Sequence, residues 1–218
     1  MSSDRRPFRR EGEDRRREAL VAATQALVAE GGPEAATVRA IADRAGVTPG
    51  LIRHYFAHKE GLMRAAFHDM MTRMTADSGA GLAQVSADPV SRLAVFVRDS
   101  LSPPVVDPAR VVLWAGFLHM VRRDQAMRDV HQMSYHAYRV QLQGLIAALP
   151  RTAPPGRDHQ DAIACNAVID GLWMEGSILA ETFAPGQIVQ IGLAACGAIL
   201  GVDLSSALPP SPEPTEAP

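Results

Sequence analysis

Residues 49–56, with the sequence PGLIRHYF, contain the side chains best suited to recognise another molecule. Pro49, Gly50, Arg53 and His54 recur at spacings of three and four, so a helix would place them on one side. On that side the first two residues, Pro49 and Gly50, are small, and the next two, Arg53 and His54, are polar. A helix of this kind can lie close to base edges in the major groove of DNA, where an arginine binds the acceptors of guanine. The stretch predicts a helix that reads DNA; an ordinary solvated face is the alternative.

The opposite side of this predicted helix is apolar and aromatic. It consists of Leu51, Ile52, Tyr55 and Phe56. We assign Phe56 to packing, because its spacing from Ile52 places it on the inward stripe. Tyr55 has two open roles, in the core or in contact with DNA.

A second short helix precedes the first and is joined to it by a tight turn. Its apolar stripe consists of Val38, Ile41, Ala42 and Ala45. Thr37 suits the N-cap of this helix, and Gly46 suits the turn that follows. Thr48 suits the next N-cap, with Pro49 at the first helical position, and its hydroxyl or N–H is also placed to hold a phosphate. The pattern therefore predicts a helix-turn-helix.

The order of these elements resembles the TetR family of bacterial transcription regulators. The resemblance rests on the run AxxAGVT over residues 42–48 and the run YFAHKE over residues 55–60. It implies that Tyr55 and Lys59, together with Thr37 and Arg39, contact the DNA backbone. The full predicted DNA-binding set is Thr37, Arg39, Thr48, Pro49, Gly50, Arg53, His54, Tyr55 and Lys59.

Composition favours an all-α fold. Alanine, leucine and valine are abundant and aromatic residues make up only 5%, a mixture that suits helices better than strands. The two cysteines, Cys165 and Cys196, lack the spacing of a zinc site or a disulfide framework, and we predict neither a metal nor a cofactor. The uncharged stretch over residues 183–202 holds too few strongly apolar residues to span a bilayer. We therefore expect a cytoplasmic protein.

The charge is distributed unevenly along the chain. Residues 1–75 contain thirteen Arg and Lys against ten Asp and Glu, whereas the remainder contains nine against fourteen. A basic first part beside an acidic second part suits a chain whose first part meets phosphate. Ordinary surface variation explains an excess of this size equally well.

Changes in composition and breaks at glycine and proline divide the chain into four predicted regions. Residues 1–13 are predicted to be a flexible basic arm, whose arginines either touch DNA or are simply solvated. Residues 14–60 form the predicted helix-turn-helix domain, and residues 61–202 the predicted ligand-binding and dimerisation domain. The proline-rich residues 203–218 are predicted to be disordered. Helices are expected at 14–30, 58–77, 89–101, 108–122, 125–148, 158–183 and 187–200, besides the helix-turn-helix.

The second domain resembles the choline-responsive repressors of glycine-betaine synthesis within the TetR family. The resemblance lies in residues 113–117, 127–145 and 169–173. Aromatic faces beside a carboxylate suit a quaternary ammonium such as choline. The candidate ligand-binding residues are Trp114, Phe117, Tyr135, Tyr138, Asp170 and Trp173. The alternative is that a helical bundle packs its large side chains together.

The expected function is that of a ligand-responsive transcriptional regulator, most simply a repressor that a small molecule releases from a palindromic operator. The family resemblance implies a homodimer formed by the helices at 158–183 and 187–200. Two alternatives remain at this point, a sequence-tolerant architectural DNA-binding protein and a helical enzyme or binding module without a DNA role. Because GxSxG, HExxH, phosphate-loop and dinucleotide-binding motifs do not occur, we expect no catalytic residues.

Overall fold

The computed structural model describes residues 5–208, with side chains from residue 12 onward. This part of the chain forms nine α-helices and two short 3₁₀ turns without a strand, which confirms the all-α prediction. The helices are α1 Arg5–Ala35, α2 Val38–Ala45, α3 Pro49–Phe56, α4 Lys59–Ser78, α5 Pro89–Ser100, α6 Pro108–Val121, α7 Gln125–Ala147, α8 Arg157–Ile178 and α9 Gln187–Leu200. No helix among the described residues is long and apolar enough to cross a membrane.

The start of α1 differs from the prediction of a flexible arm over residues 1–13. The helix begins at Arg5, so residues 5–13 are helical, while residues 1–4 lie outside the described part. Arginine and glutamate dominate this segment, and both are good helix formers. Pro7 falls in the first turn, where its missing N–H removes no internal hydrogen bond.

The end of the predicted first helix agrees with the backbone. Gly31 (φ −145°) and Gly32 (φ 73°, ψ −178°) leave the helical region inside the span of α1. Gly32 can adopt this positive φ because it lacks a Cβ atom. The chain therefore turns after residue 30, as the Gly-Gly-Pro sequence predicts.

The helices group into two compact units. Unit 1 contains the chain up to Arg73 together with Ala109–Ser134, and unit 2 contains Met74–Pro108 together with the chain from Tyr135 onward. The helices α4 and α7 contribute residues to both units. The division of function at residues 60 and 61 stays a prediction.

Unit 1 is built on large apolar side chains from all of its helices. Leu20, Ile41, Ile52, Leu62 and Phe67 are completely or almost completely buried. Such burial is the dominant favourable contribution to folding. This core holds α2 and α3 against α1 and α4.

Unit 2 has its own apolar core. Leu93, Phe96, Leu142, Ile146 and Leu193 are buried there. An added Cβ at Gly192 of α9 would lie 2.2 Å from a methyl carbon of Leu101, so a larger residue there would require the Leu101 side chain to move. The packing therefore fixes α9 beside the C-terminal end of α5.

The beginning of the predicted disordered tail is ordered. Leu204 is buried, and the Asp203 carboxylate accepts hydrogen bonds from the N–H groups of Ser205 (3.0 Å) and Ser206 (3.1 Å). Burial of an apolar side chain and this local Asx turn give residues 203–206 a defined structure. Residues 209–218 lie outside the described residues.

Candidate nucleic-acid interface and effector cluster

The helix α2 begins and ends with the two signals that the sequence predicts. Thr37 is extended, and its Oγ1 accepts a hydrogen bond from the Ala40 N–H at 3.1 Å. Gly46 is left-handed (φ 65°, ψ 32°), and the next N–H, that of Val47, donates to the Ala42 carbonyl at 3.0 Å. These caps satisfy groups that a helix leaves open at its ends. They also set the direction in which the chain enters α3.

Thr48 occupies the N-cap position of α3, but its side chain makes no capping hydrogen bond within the described part of the chain. The predicted N-cap position is therefore confirmed, although the hydroxyl takes no part in capping. The Thr48 carbonyl instead accepts from the Leu51 N–H at 3.0 Å, and Pro49 has no N–H to satisfy. The Thr48 hydroxyl is exposed, and its contact with a phosphate stays a prediction.

The two sides of α3 differ in burial as the sequence predicts. Ile52 is 2% exposed, and the other inward residues, Leu51, Tyr55 and Phe56, are half-buried. The outward residues Pro49, Gly50, Arg53 and His54 are exposed. The structure therefore leaves the predicted base-reading side open along the whole of α3.

A cleft of about 410 Å³ in unit 1 brings several predicted DNA contacts together. It is lined by Val38, Pro49, Gly50, Ile52, Arg53, Ala57, His58 and Lys59. Lys59 from the first turn of α4 thus lies beside the start of α3. Thr37 and Arg39, at the start of α2, are also exposed, and the Arg39 side chain is 91% accessible and 3.8 Å from Asp43.

The junction between α3 and α4 contains features that the sequence analysis missed. Ala57 has φ 62° and ψ −46°, and the His58 N–H donates to the Phe56 carbonyl at 2.7 Å, which together form a γ-turn. His58 Nδ1 then accepts from the Gly61 N–H at 3.1 Å and caps α4. An added Cβ at Gly61 would lie 2.3 Å from the Phe56 carbonyl oxygen. This tight junction determines where Lys59 stands relative to α3.

Charged residues of α1 hold the helix-turn-helix in place. Arg17 lies 4.9 Å from the centre of the Phe56 ring, as in a cation–π contact. The Arg44 guanidinium donates to both carboxylate oxygens of Glu30, and this hydrogen bond lowers the pKa of Glu30. Contacts between charged side chains far apart in the chain have no periodic signal, so sequence reasoning did not identify them.

A polar cluster in unit 2 surrounds Asp170 of α8. The Asn166 Nδ2 donates to Asp170 Oδ2 at 2.8 Å, and Tyr135 of α7 also hydrogen bonds to this carboxylate. Burial raises the pKa of Asp170 to about 6, although these hydrogen bonds and the charge of Arg139 act in the opposite direction. A carboxyl group with this pKa still carries a negative charge at neutral pH.

The two tyrosines of the cluster are held by packing and by hydrogen bonds. Tyr138 packs its ring 5.2 Å from that of Phe96, and its hydroxyl lies 3.0 Å from the Ser100 Oγ. Burial raises the pKa of both Tyr135 and Tyr138, which are therefore neutral. The sequence analysis identified both tyrosines and Asp170 but missed Asn166 and Arg139. The spacing of Asn166 and Asp170, four residues apart in one helix, was the available signal.

The remaining predicted ligand residues have other surroundings. Phe117 is completely buried in unit 1, with its ring 5.2 Å from that of Phe67. Trp114 also belongs to unit 1 and is half-buried. Trp173 is buried in unit 2, where its Nε1 donates to the Val105 carbonyl at 2.8 Å. The structure thus assigns the six predicted residues to two units, and Phe117 and Trp173 serve as core residues there.

An exposed recognition helix in a helix-turn-helix, followed by further helices that carry a half-buried polar cluster, defines a class of protein, the one-component DNA-binding regulators. Residues 20–66 match the model of the bacterial regulatory proteins of the tetR family, and residues 89–201 match that of the BetI-type transcriptional repressor C-terminal domain. The chain belongs to the TetR family and has a C-terminal domain of the BetI type. It is a transcriptional regulator and not an enzyme, so the enzyme alternative is wrong.

Relatives and solved structures agree with this assignment. The HTH-type transcriptional regulator BetI of Burkholderia thailandensis is 26% identical over 168 residues, which cover 77% of this chain and 85% of the relative. The regulator of the same name from Serratia proteamaculans is 29% identical and covers 81% and 88%, respectively. A transcriptional regulator from Pseudomonas aeruginosa PAO1 superposes with a TM-score of 0.78 at 30% identity, covering 86% of this chain and 91% of that one.

Proposed function

We propose that the protein is a cytoplasmic homodimer that represses transcription by binding a palindromic operator, and that a small molecule bound at the Asp170 cluster releases it. The main support for operator binding is the exposed side of α3, where Pro49 and Gly50 precede Arg53 and His54. The small residues allow close approach to the groove, and Arg53 reaches the base edges. An architectural protein without sequence preference would not need such a side.

Contacts to the DNA backbone complete the proposed interface. Lys59 lines the same cleft as Arg53, and the exposed Thr37 and Arg39 stand at the start of α2, whose N–H groups favour an anion. Thr48 offers a hydroxyl that makes no capping bond, and Tyr55 is half-buried. Backbone contacts of this kind orient a protein on DNA without reading its sequence.

An apolar stripe on α8 supports the proposed dimer. Its members are exposed and recur at spacings of three and four along one side of the helix: Ile163, Ala167, Gly171, Met174 and Ile178. The exposed residues Ile191, Ala194 and Ala198 form a similar stripe on α9. Because both stripes are apolar and rich in small residues, a second copy of the two helices can pack against them closely. A twofold dimer presents two α3 helices to two half-sites.

The Asp170 cluster is the proposed effector site because it contains a partly buried carboxyl group, although burial disfavours the charged form of that group. Groups with raised pKa values in polar clusters of this kind occur preferentially at functional sites. Asp170 can attract a quaternary ammonium, and Tyr135, which hydrogen bonds to this carboxylate, is the proposed aromatic partner. We therefore propose choline as the first effector to test. Arg139 offsets part of the charge of Asp170, so we propose that the ring of Tyr135 contributes to cation binding.

The proposed release requires a difference in affinity between two states. An effector shifts the dimer away from the spacing that fits successive major grooves only if it binds more tightly to the state that does not fit DNA. The helix α4 runs from the first unit into the second and is the proposed link between effector cluster and DNA-binding helices. A tight ligand without this difference in affinity would leave the DNA bound.

The test is fluorescence anisotropy of the full chain with the DNA upstream of its own gene, in near-physiological salt, with random DNA as the comparison. We expect a preference for the upstream DNA of at least about 1,000-fold, as is typical of specific regulators, and its reversal by choline. Arg53→Ala should weaken specific binding by about tenfold or more, the worth of one good arginine contact to a base. Arg122→Ala, at an exposed arginine outside the helix-turn-helix, is the matched control.

Three outcomes separate the parts of the proposal. Equal affinity for upstream and random DNA would favour an architectural protein and contradict the repressor. Specific binding that choline and betaine aldehyde both leave unchanged would contradict the quaternary-ammonium effector and keep the regulator. Specific binding that the Arg53 and Arg122 variants weaken equally would contradict the proposed role of α3.

A further inference from the structure

Val38 of α2 is more exposed than its place in the predicted apolar stripe suggests. Ile41 and Ala42 of that stripe are completely buried, whereas Val38 is 39% exposed. It lines the cleft of about 410 Å³ that also contains Pro49 and Arg53 of α3. A single exposed valine is ordinary on a protein surface. This one, however, lies beside the side of α3 that we propose to read bases.

The lining of this cleft is partly apolar and partly basic. Its apolar residues are Val38, Pro49, Ile52 and Ala57, and its basic residues are Arg53, His58 and Lys59. None of the residues described as lining the cleft carries a carboxylate. Such a lining suits a group that is apolar at one point and attached to an anion. A thymine of a DNA strand is such a group, because its C5-methyl group lies in the major groove and its sugar is linked to phosphates.

We propose that Val38 is a specificity-determining residue, whose methyl groups, together with Pro49, contact the C5-methyl group of a thymine in each operator half-site. This inference rests on the proposed binding of an operator by α3 and assigns one further base of that operator. Cytosine has no methyl group at this position, so the contact distinguishes the two pyrimidines. Burial of the methyl group against Val38 supplies the difference in affinity.

The spacing along α3 predicts where this thymine lies relative to the guanine that Arg53 is proposed to bind. Pro49 and Arg53 are four residues apart in the helix, which corresponds to about 6 Å along its axis. Successive base pairs of DNA are about 3.4 Å apart. The thymine is therefore expected within about two base pairs of the guanine. Arg53→Ala locates that guanine, as the position at which the variant no longer prefers guanine.

The experiment replaces thymine with deoxyuridine, which removes only the C5-methyl group. Each thymine of the operator is replaced in turn, at symmetric positions of both half-sites, and the affinity of the full chain is measured by fluorescence anisotropy. We expect the replacement of one such pair to weaken binding by about tenfold. One buried methyl group is worth about fourfold in affinity, and the dimer makes the contact twice.

Val38→Ala connects the methyl group to its partner in the protein. The variant should bind the thymine and uracil operators within about twofold of each other, because the side chain that contacts the methyl group is truncated. A merely structural role of Val38 would instead weaken binding to both operators equally and leave their ratio unchanged. Alanine is a better helix former than valine, so α2 should be retained, which thermal unfolding checks.

The matched control is Val112→Ala, at a valine of α6 that is 50% exposed and lies outside the helix-turn-helix. It carries the same truncation and should keep the full preference for thymine.

Two results would overturn the inference. An operator that tolerates uracil at every position would do so, because a contact with sugar or phosphate does not sense the C5-methyl group. A Val38→Ala variant that keeps the preference for thymine would do so as well and assign the contact to another residue. The proposed operator binding fails by a different observation, equal affinity for upstream and random DNA, so the two failures are distinguishable.

Discussion

At the scale of single residues, the proposed effector role of Asp170 opposes the stability of the folded protein. Its carboxyl pKa is raised from 3.8 to about 6 in the folded protein, so burial disfavours the charged form. A group whose pKa rises on folding contributes fully below its unfolded pKa, and this contribution is lost as the pH rises through the folded value. A shift of this size corresponds to about 3 kcal/mol of lost stability at neutral pH.

Asp170→Asn should therefore raise the stability of the protein at pH 7.5 while abolishing its response to choline. The amide removes the buried charge and can still hydrogen bond to Asn166. Because the wild-type penalty develops between pH 4 and pH 6 or so, the advantage of the variant should shrink as the pH falls towards 4. Chemical unfolding at several pH values measures this. Asp129→Asn, at an exposed aspartate of α7, should show no such trend.

Ala57 is a second residue of interest, because it adopts a positive φ that is strained for any residue with a Cβ atom. At φ 62° and ψ −46°, its Cβ atom is crowded by the backbone, a strain that glycine does not have. Ala57→Gly should raise the free energy of unfolding by about 1 kcal/mol, after the larger entropy of glycine in the unfolded chain is subtracted. Denaturant titration measures the change.

The control for this prediction is Ala22→Gly, at an exposed position inside α1. There glycine has no strain to relieve and should lower the stability by about 1 kcal/mol. The same substitution thus has opposite signs at the two positions. Destabilisation by Ala57→Gly would contradict the positive φ at this junction.

At the scale of elements, α3 has an inward side that packs in the core and an outward side that is exposed to solvent. Gly50 shows this best, because nothing lies within 4 Å of a Cβ atom added there. An alanine at this helical position stabilises the fold by about 0.5–1 kcal/mol in general. The structure of the protein by itself does not require glycine at residue 50.

Gly50→Ala should consequently stabilise the protein and weaken operator binding. If α3 approaches the bases closely at Gly50, a methyl group there costs affinity although it improves the helix. Thermal unfolding and operator titration of the same preparation measure both effects. Unchanged affinity for the operator would show that DNA does not approach Gly50.

Gly61→Ala provides the contrast within the same domain. Its Cβ would lie 2.3 Å from the backbone oxygen of Phe56, so the junction between α3 and α4 must open. Unlike Gly50→Ala, this variant should lose both stability and operator affinity. A variant that keeps its stability would contradict the tight junction described above.

At the scale of the whole molecule, the exposed apolar stripes of α8 and α9 are the feature that a single chain leaves unexplained. Ile178 is 61% exposed, which is costly for a large apolar side chain in water. A partner copy would cover it together with Met174 and Ile191. The proposed binding to a palindrome depends on this association, since one chain contributes only one α3.

Ile178→Asp should convert the dimer to a monomer and reduce operator affinity by more than about 100-fold, because the two half-sites then bind separately. Light scattering after size-exclusion chromatography measures the mass. Val112→Asp introduces the same charge at a valine of α6 that is 50% exposed and should leave the mass unchanged. A wild-type protein that elutes as a monomer would contradict the proposed dimer.

The all-α fold, the positions of its helices and the open side of α3 could be predicted from the sequence. All three depend on local signals: the spacing of Ile41 and Ile52 within apolar stripes, the cap at Thr37 and the turn at Gly46. Local hydrogen bonds and helical periodicity involve residues only a few positions apart, so they can be recognised from the sequence. The same locality explains why the family could be identified from residues 37–60.

The surroundings of Asp170, the proposed effector cluster, depended on tertiary structure. The sequence analysis grouped Phe117 and Trp173 with Asp170 as aromatic residues, whereas packing buries Phe117 against Phe67 and pairs Trp173 with the Val105 carbonyl. It missed Asn166 and Arg139. Whether a polar atom finds a partner, and how far burial shifts a pKa, is decided by residues that are distant in the chain and adjacent in space. The sequence determined the helices and the exposed side of α3 that we propose to face DNA; only packing decided which side chains surround Asp170.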